Sequence, residues 1–414
     1  MNPEETSVGD PAPAKKSGLL IPSLFAAVAI LIPGYLVIMS VATAFGKVSD
    51  LPQYYSAGWM FINHQGAHVY GMDKLFAVQQ RLFPTLDPER LGIGLFLPPL
   101  AVPMLLPIAL MPLPVAPFMW LTLLTGCVVA SLLILRRHFE LTLVQFIWMV
   151  ALVSLSGACY DSLRIGQLSP ALLLSLCATV WALRRQQDVL AGLLMSAFWF
   201  KPQYIIPLGA LIVGATRIPT AIFIAISGLG LASVAAAMMG LDIFSEYVEL
   251  VKAPSSLPFM QPELNPTVRG QLLRLGCPVE MAGGIGSVIM CASTAFALTL
   301  GWRLRSRPDW FERACIAVVP VMLVTALHCH EYDLLLLVPA LAALLKSDLV
   351  KQIPTPAQIA GLIVLIPFLL PLYLDVHYKY MLKGGLYNPY FFILAIYSLY
   401  VSYLVWSKSQ RSAV

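Results

Sequence analysis

The chain has 414 residues, of which 59% are hydrophobic and only 11% charged, and its mean hydropathy is +0.80. A soluble globular domain carries about a quarter charged residues, so that class is excluded. The formal net charge of +5 asks for no nucleic-acid partner and reflects the basic bias that orients membrane proteins. Apolar runs of about 20 residues recur along the chain, each long enough to cross a bilayer as a helix. The composition therefore predicts an all-α polytopic membrane protein.

The first 17 residues are polar and include PAPAKKSG; the apolar run that follows is too long for the core of a cleavable leader. Spans are predicted at 18–45, 115–135, 143–160, 168–184, 188–201, 203–216, 219–239, 279–302, 313–329, 331–346, 357–375 and 389–407, or about twelve crossings. One domain of 18–407 lies between short cytoplasmic tails, 1–17 and 408–414. Longer polar stretches fall at 46–93, 240–278 and 376–388. The pair at 188–216 is short for two full spans.

Residues 95–117, LFLPPLAVPMLLPIALMPLPVAP, are apolar enough to insert but carry seven prolines. Each proline removes an amide donor and clashes with the preceding turn. A membrane-dipping or surface-lying element is expected, since irregular backbone at that depth survives only against protein. If the segment does not cross and the N-terminus is inside, Arg136, Arg137, Arg184, Arg185, Arg217, Arg303, Arg305 and Arg307 all lie on the cytoplasmic side. Lys15, Lys16, Lys346 and Lys408 join them. Charge alone leaves one rival, with the N-terminus outside and thirteen spans.

With the first topology, polar residues gather at helix ends on the outer face. They are Asp50 with Tyr54 and Tyr55; Asp161, Arg164 and Gln167 in YDSLRIGQLSP; Lys201 in FKPQY; and His328, His330, Glu331 and Asp333 in LHCHEYD. Lys379 and Lys383 lie in the last outer loop. Taken singly, Arg164 could snorkel, Lys201 could cap a short helix and His330 could be an interfacial histidine. Their convergence on one face favours a shared cavity. A lone carboxylate beside cations, histidine and aromatic rings suits a general base acting next to an anionic leaving group. Seven scattered cysteines with no CxxC or Cys/His spacing support neither disulfides nor a metal site. No HExxH, GxSxG, P-loop or GxGxxG motif occurs, so metalloprotease, hydrolase and nucleotide-driven chemistries lack their parts.

The run SDLPQYYSAG after the first helix resembles the Asp-x-x-x-Tyr-Tyr-x-Ala signature of glycosyltransferase family 87. So do Pro98-Pro99-Leu100, GQLSP at 166–170, AGLLMSAFWFKP at 191–202 and HEY at 330–332, in that order. The aromatic that usually precedes the Pro-Pro pair appears here as Phe96-Leu97, a mild departure.

The resemblance implies a GT-C-type bundle with the catalytic Asp in the first outer loop. It also implies a polyprenyl-phosphate-sugar donor, a lipid or glycan acceptor, and no cofactor or metal. By the same resemblance Asp50 is the general base. Lys201, Arg164 and His330 are expected to hold the donor phosphate, with Tyr54, Tyr55, Gln167, His328 and Glu331 around the sugar or acceptor. The expected location is the bacterial cytoplasmic membrane, multi-pass, with the site facing outward. The rivals are a flippase or transporter of lipid-linked sugars, for which no internal repeat is visible, and an envelope polysaccharide ligase or polymerase.

Overall fold

The computed structural model describes residues 50–84, 94–252, 265–349 and 389–411. The spans predicted at 18–45 and 357–375 lie outside these residues, as do Lys15, Lys16, Lys379 and Lys383. Among the described residues all regular structure is helical. The α-helices are α1 (Leu51–Ile62), α2 (Met72–Leu82), α3 (Leu106–Ala109), α4 (Ala116–His138), α5 (Leu143–Leu155), α6 (Gly157–Ile165), α7 (Ser169–Arg184) and α8 (Asp188–Met195). They continue with α9 (Pro202–Gly214), α10 (Ile218–Met239), α11 (Ile243–Lys252), α12 (Val268–Arg274), α13 (Val279–Leu304), α14 (Trp310–Thr325), α15 (Leu337–Lys346) and α16 (Pro389–Arg411).

Among the described residues four helices are long and apolar enough to cross a membrane: α4, α10, α13 and α16. A fifth crossing results if α5 and α6 count as one bent span. The other apolar helices, α7 and α9 among them, have 10–17 residues, fewer than the ~20 that match the hydrocarbon thickness.

The predicted span at 143–160 is broken at Ser156 by a 55° bend. Ser156 has extended ψ, donates to the Val153 carbonyl at 2.7 Å and accepts from Cys159 N at 3.1 Å. A single hydroxyl thus ends one helix and caps the next. At the other end of α6, Gly166 takes φ +80°, the left-handed conformation that closes a helix without a Cβ clash. Lys201 sits at a second break, with φ −135° and ψ 82° between a 3-10 turn at Ser196–Phe200 and α9. Pro202 enforces this, because the residue before proline is excluded from helical backbone.

The proline-rich segment forms a 3-10 turn at Pro99–Leu105 followed by the short α3. Proline supplies no N–H, so carbonyls in such a segment need other donors. Tyr70 donates to Leu97 O at 2.7 Å and Tyr55 to Met111 O at 2.8 Å. Helix α1 lies so close that a Cβ on Gly58 would stand 2.6 Å from the Ala109 methyl.

One end of the bundle is basic and pinned by ion pairs. His138 at the end of α4 lies 3.0 Å from Glu312 near the start of α14, and Arg184 at the end of α7 lies 4.0 Å from the same carboxylate. Arg217 pairs with Asp188 at 2.8 Å, and Arg313 with Asp309 at 2.5 Å. Arg185, Arg303 and Arg305 lie over the rings of Trp181, Trp406 and Trp302. Aromatic rings with cations at helix ends mark a membrane–water interface. Ser169, Lys201 and the 326–336 segment stand at the opposite ends of α7, α9 and α14.

Helices α9 and α13 meet through glycine, as close helix approach in membranes requires. A Cβ on Gly214 would stand 1.9 Å from Leu298 O, and one on Gly301 2.3 Å from Leu211 O. Either contact forces the backbones apart. Gly214→Ala and Gly301→Ala are each expected to destabilise by at least ~2 kcal/mol, seen as a lowered melting temperature in detergent and loss of monodisperse protein.

Candidate active site

Asp50 stands at the entrance of α1. An aspartate there usually caps the helix with its carboxylate, but this one makes no such bond. Its backbone N–H donates instead to Ile165 O at 2.8 Å, tying α1 to the closing turn of α6. The carboxylate accepts from Gln167 Nε2 and from the Gln53 side chain. Gln167 Oε1 in turn accepts from the Tyr54 hydroxyl at 3.3 Å. The Tyr54 ring meets Trp120 edge-on at 6.2 Å, and Trp120 Nε1 donates to Gly166 O at 2.9 Å. Burial pushes the Asp50 carboxyl up to about 7, against the Gln53 hydrogen bond and the charge of Lys201, which pull it down. Gln167 therefore orients the carboxylate directly.

The second half of the site is built on Asp333, which is wholly buried. Its Oδ1 accepts from Ser169 Oγ at 2.6 Å and Lys201 Nζ at 2.5 Å. Its Oδ2 accepts from the Tyr204 hydroxyl at 2.9 Å and His330 N at 3.2 Å. Four donors fill four lone pairs. Burial opposes its charge, but the Lys201 ammonium and the Lys201 and Ser169 hydrogen bonds outweigh it and hold Asp333 below the usual carboxylate range. The sequence places Asp333 on the outer face but attaches no role to it. Ser169 and Tyr204 sit inside GQLSP and FKPQY, so their motifs were legible and their shared partner was not.

Lys201 is thus committed to Asp333, with its ammonium also 4.9 Å from the Tyr332 ring centroid. An ammonium has three N–H donors, so the pairing leaves capacity for a further anion. His330 packs against Tyr332 at 4.9 Å and edge-on against His328 at 4.4 Å. Burial drives the His330 pKa down to about 4 and takes His328 well below its ordinary value, so both rings are neutral near pH 7. Burial, with the charges of Asp161 and Asp333, raises Glu331 to about 7 against its own backbone hydrogen bond and Arg274.

The remaining expected residues are less central. Arg164 turns to Asp161 at 2.9 Å and to the Tyr160 ring, partners on its own helix. Tyr55 gives its hydroxyl to the proline-rich segment and its ring to Phe83. All seven cysteines are free thiols. Among the described residues no three His, Cys, Asp or Glu side chains group as metal ligands.

A bundle of apolar helices with a half-buried carboxylate near a buried lysine–aspartate pair is a membrane protein with an enzyme-like site at one end. The family model for glycosyltransferase family 87 matches residues 96–326, and the chain belongs to that family. Gln167, Ser169, Lys201 and Tyr204 fall within the match; Asp50, Tyr54 and the 328–333 cluster flank it. Comparison with curated proteins and with solved structures gives no match.

Breaking the Lys201–Asp333 pair strands a buried charge, which costs ~3–5 kcal/mol. Lys201→Ala and Asp333→Ala should therefore each lower the melting temperature sharply. The apolar double replacement Lys201→Met with Asp333→Leu should cost less than the sum of the two single replacements, since no unpaired charge remains, although Ser169, Tyr204 and His330 N lose their acceptor. If thermal unfolding of Lys201→Ala matches the wild type, the pair is not structural.

Proposed function

We propose that the protein transfers a sugar from a polyprenyl-phosphate sugar to a hydroxyl of a lipid or glycan acceptor, at the outer face of the cytoplasmic membrane of a bacterium. The observation that carries this reading is the Asp50 carboxylate, bonded to Gln167 and within the field of Lys201, at the end of the bundle opposite the basic, tryptophan-flanked helix ends. Basic helix ends belong to the cytoplasmic side, so the site faces outward. Membership of glycosyltransferase family 87 supplies the reaction class.

In this mechanism the acceptor oxygen attacks the anomeric carbon from the face opposite the phosphate. The bond from that carbon to the phosphate oxygen breaks, its electron pair leaves with the polyprenyl phosphate, and the anomeric configuration inverts. Asp50 takes the acceptor proton and later releases it to water. A base works best with a pKa near the working pH, which burial provides here. Lys201 meets the charge that develops on the leaving phosphate, and its attraction is strongest where water is excluded.

His330 and Arg164 complete the phosphate end of this proposal. Tyr54, Tyr55, Gln167, His328 and Glu331 border the sugar and acceptor. The reading calls for no metal or cofactor beyond the donor. It treats 18–407 as one catalytic unit of about twelve crossings, with the proline-rich segment lying against the membrane surface as one wall.

Incubating the purified chain with polyprenyl-phosphate sugars and a membrane-lipid extract should yield a heavier glycolipid by mass spectrometry. Asp50→Asn should cut turnover ~10²–10⁴-fold per folded molecule, the usual range for a positioned base; near-native turnover would remove Asp50 from the chemistry. Because the base must be deprotonated, the wild-type rate should rise with pH below about 7 and level off above it. The Asn variant should lack that limb. Single cysteines at Asp73 and Arg137 should label from opposite sides of the membrane, and labelling of both from the cytoplasm would sink the outward-facing site.

A further inference from the structure

Beside the His328–His330 pair lies a buried amide with one end unused. Asn265 is 1% exposed, and among the described residues its Oδ1 has no hydrogen-bond partner. Buried carboxamide oxygens are rarely left so, and each one calls for an explanation. The other end is engaged: Asn265 Nδ2 lies 3.3 Å from His328 Nδ1. An amide nitrogen can only donate, so Nδ1 accepts and the proton of the neutral imidazole sits on Nε2.

The amide is also held in place. Pro266 follows it, and Thr267 caps α12 by accepting from Gly270 N at 3.0 Å. Arg269 ties that helix to Leu327 O at 3.2 Å, and Gln203 Nε2 donates to His328 O at 3.1 Å. From His328 a continuous run of rings leads through His330 and Tyr332 to the Lys201 ammonium.

A buried acceptor left without a donor matches a hydroxyl, which has an O–H to give. A phosphate, which only accepts, has nothing to offer Oδ1. We infer that Asn265 reads a sugar hydroxyl through Oδ1, with His328 orienting the amide, and so helps set which sugar the enzyme handles. The inference rests on the transferase reading above. The hydroxyl belongs either to the donor sugar or to a glycan acceptor, chemically the same group. A site built to bond a hydroxyl rejects an analogue that lacks it, because its own polar atom is then stranded.

The test uses the full chain with polyprenyl-phosphate mannose, glucose, galactose and arabinose, each offered with a membrane-lipid extract. The productive pair is then titrated with the wild type, Asn265→Leu and Asn265→Ala. One KM should rise about 10- to 100-fold, the factor for a lost buried hydrogen bond. The substrate-free melting temperature of the near-isosteric Leu variant should fall only modestly, since Oδ1 bonds nothing among the described residues and the loss is confined to the Nδ2–His328 bond. A rise in donor KM places the hydroxyl on the donor sugar, and a rise in acceptor KM places it on the acceptor. Deoxy analogues of that substrate should show one position that the wild type discriminates and the variants do not. Unchanged KM for both substrates overturns the inference while leaving the transferase reading intact. Failure of both variants to fold assigns Asn265 to the scaffold and overturns it too. If the wild type transfers none of the sugars, the transferase reading fails and the inference falls with it.

Discussion

The arrangement depends on one buried carboxylate. Asp333 collects donors from Ser169 at the start of α7, Lys201 at the break before α9, Tyr204 on α9 and the His330 amide after α14. A charge with no exposure to water survives only if every lone pair is matched, so these segments have little freedom to shift independently. That constraint fixes Gly166–Gln167 at the head of α7, and through Gln167 it reaches Asp50. The two carboxylates are thus held by residues two apart in the chain, Gln167 for Asp50 and Ser169 for Asp333.

The same network sets the electrostatics. Lys201 is balanced by Asp333, the two histidines are neutral, and Asp50 and Glu331 both titrate near 7. The resting site therefore holds little net charge, which suits a low-dielectric setting where an unbalanced ion is costly. In the proposed reaction the only substantial new charge is the one the leaving phosphate acquires, and Lys201 stands where it can respond. Neutral histidines add directional N–H and ring contacts without adding repulsion to Lys201.

Backbone breaks deliver these groups. Ser156 bends the span so that α6 ends over Asp50, Gly166 turns the chain back into α7, and Pro202 lifts Lys201 out of helix. Prolines between 98 and 117 deny the segment a continuous helix, and Tyr55 and Tyr70 supply donors to its carbonyls. Each irregularity is local in cause, and its effect is to point a polar residue inward at the end of an apolar bundle.

Much was readable in the chain itself. Apolar runs specify helices because backbone polar groups in hydrocarbon must be satisfied internally, so the helical class followed from composition. The order of the Pro-Pro, GQLSP and FKP elements marked the family, and Asp50, Gln167, Lys201 and His330 stood out as polar residues at helix ends. Other features were decided only by tertiary packing. The spans predicted at 143–160 and 188–201 are not single straight helices, because hydropathy cannot see a capping serine or a passage from α-helix into a 3-10 turn. Arg164 and Lys201 look alike in sequence, yet Arg164 pairs along its own helix while Lys201 reaches Asp333, 132 residues away. Asn265 carries no sequence signal at all. Its buried, half-used amide exists only where α12 meets the His328 segment, since hydrogen-bond satisfaction belongs to three-dimensional neighbours and not to residue type.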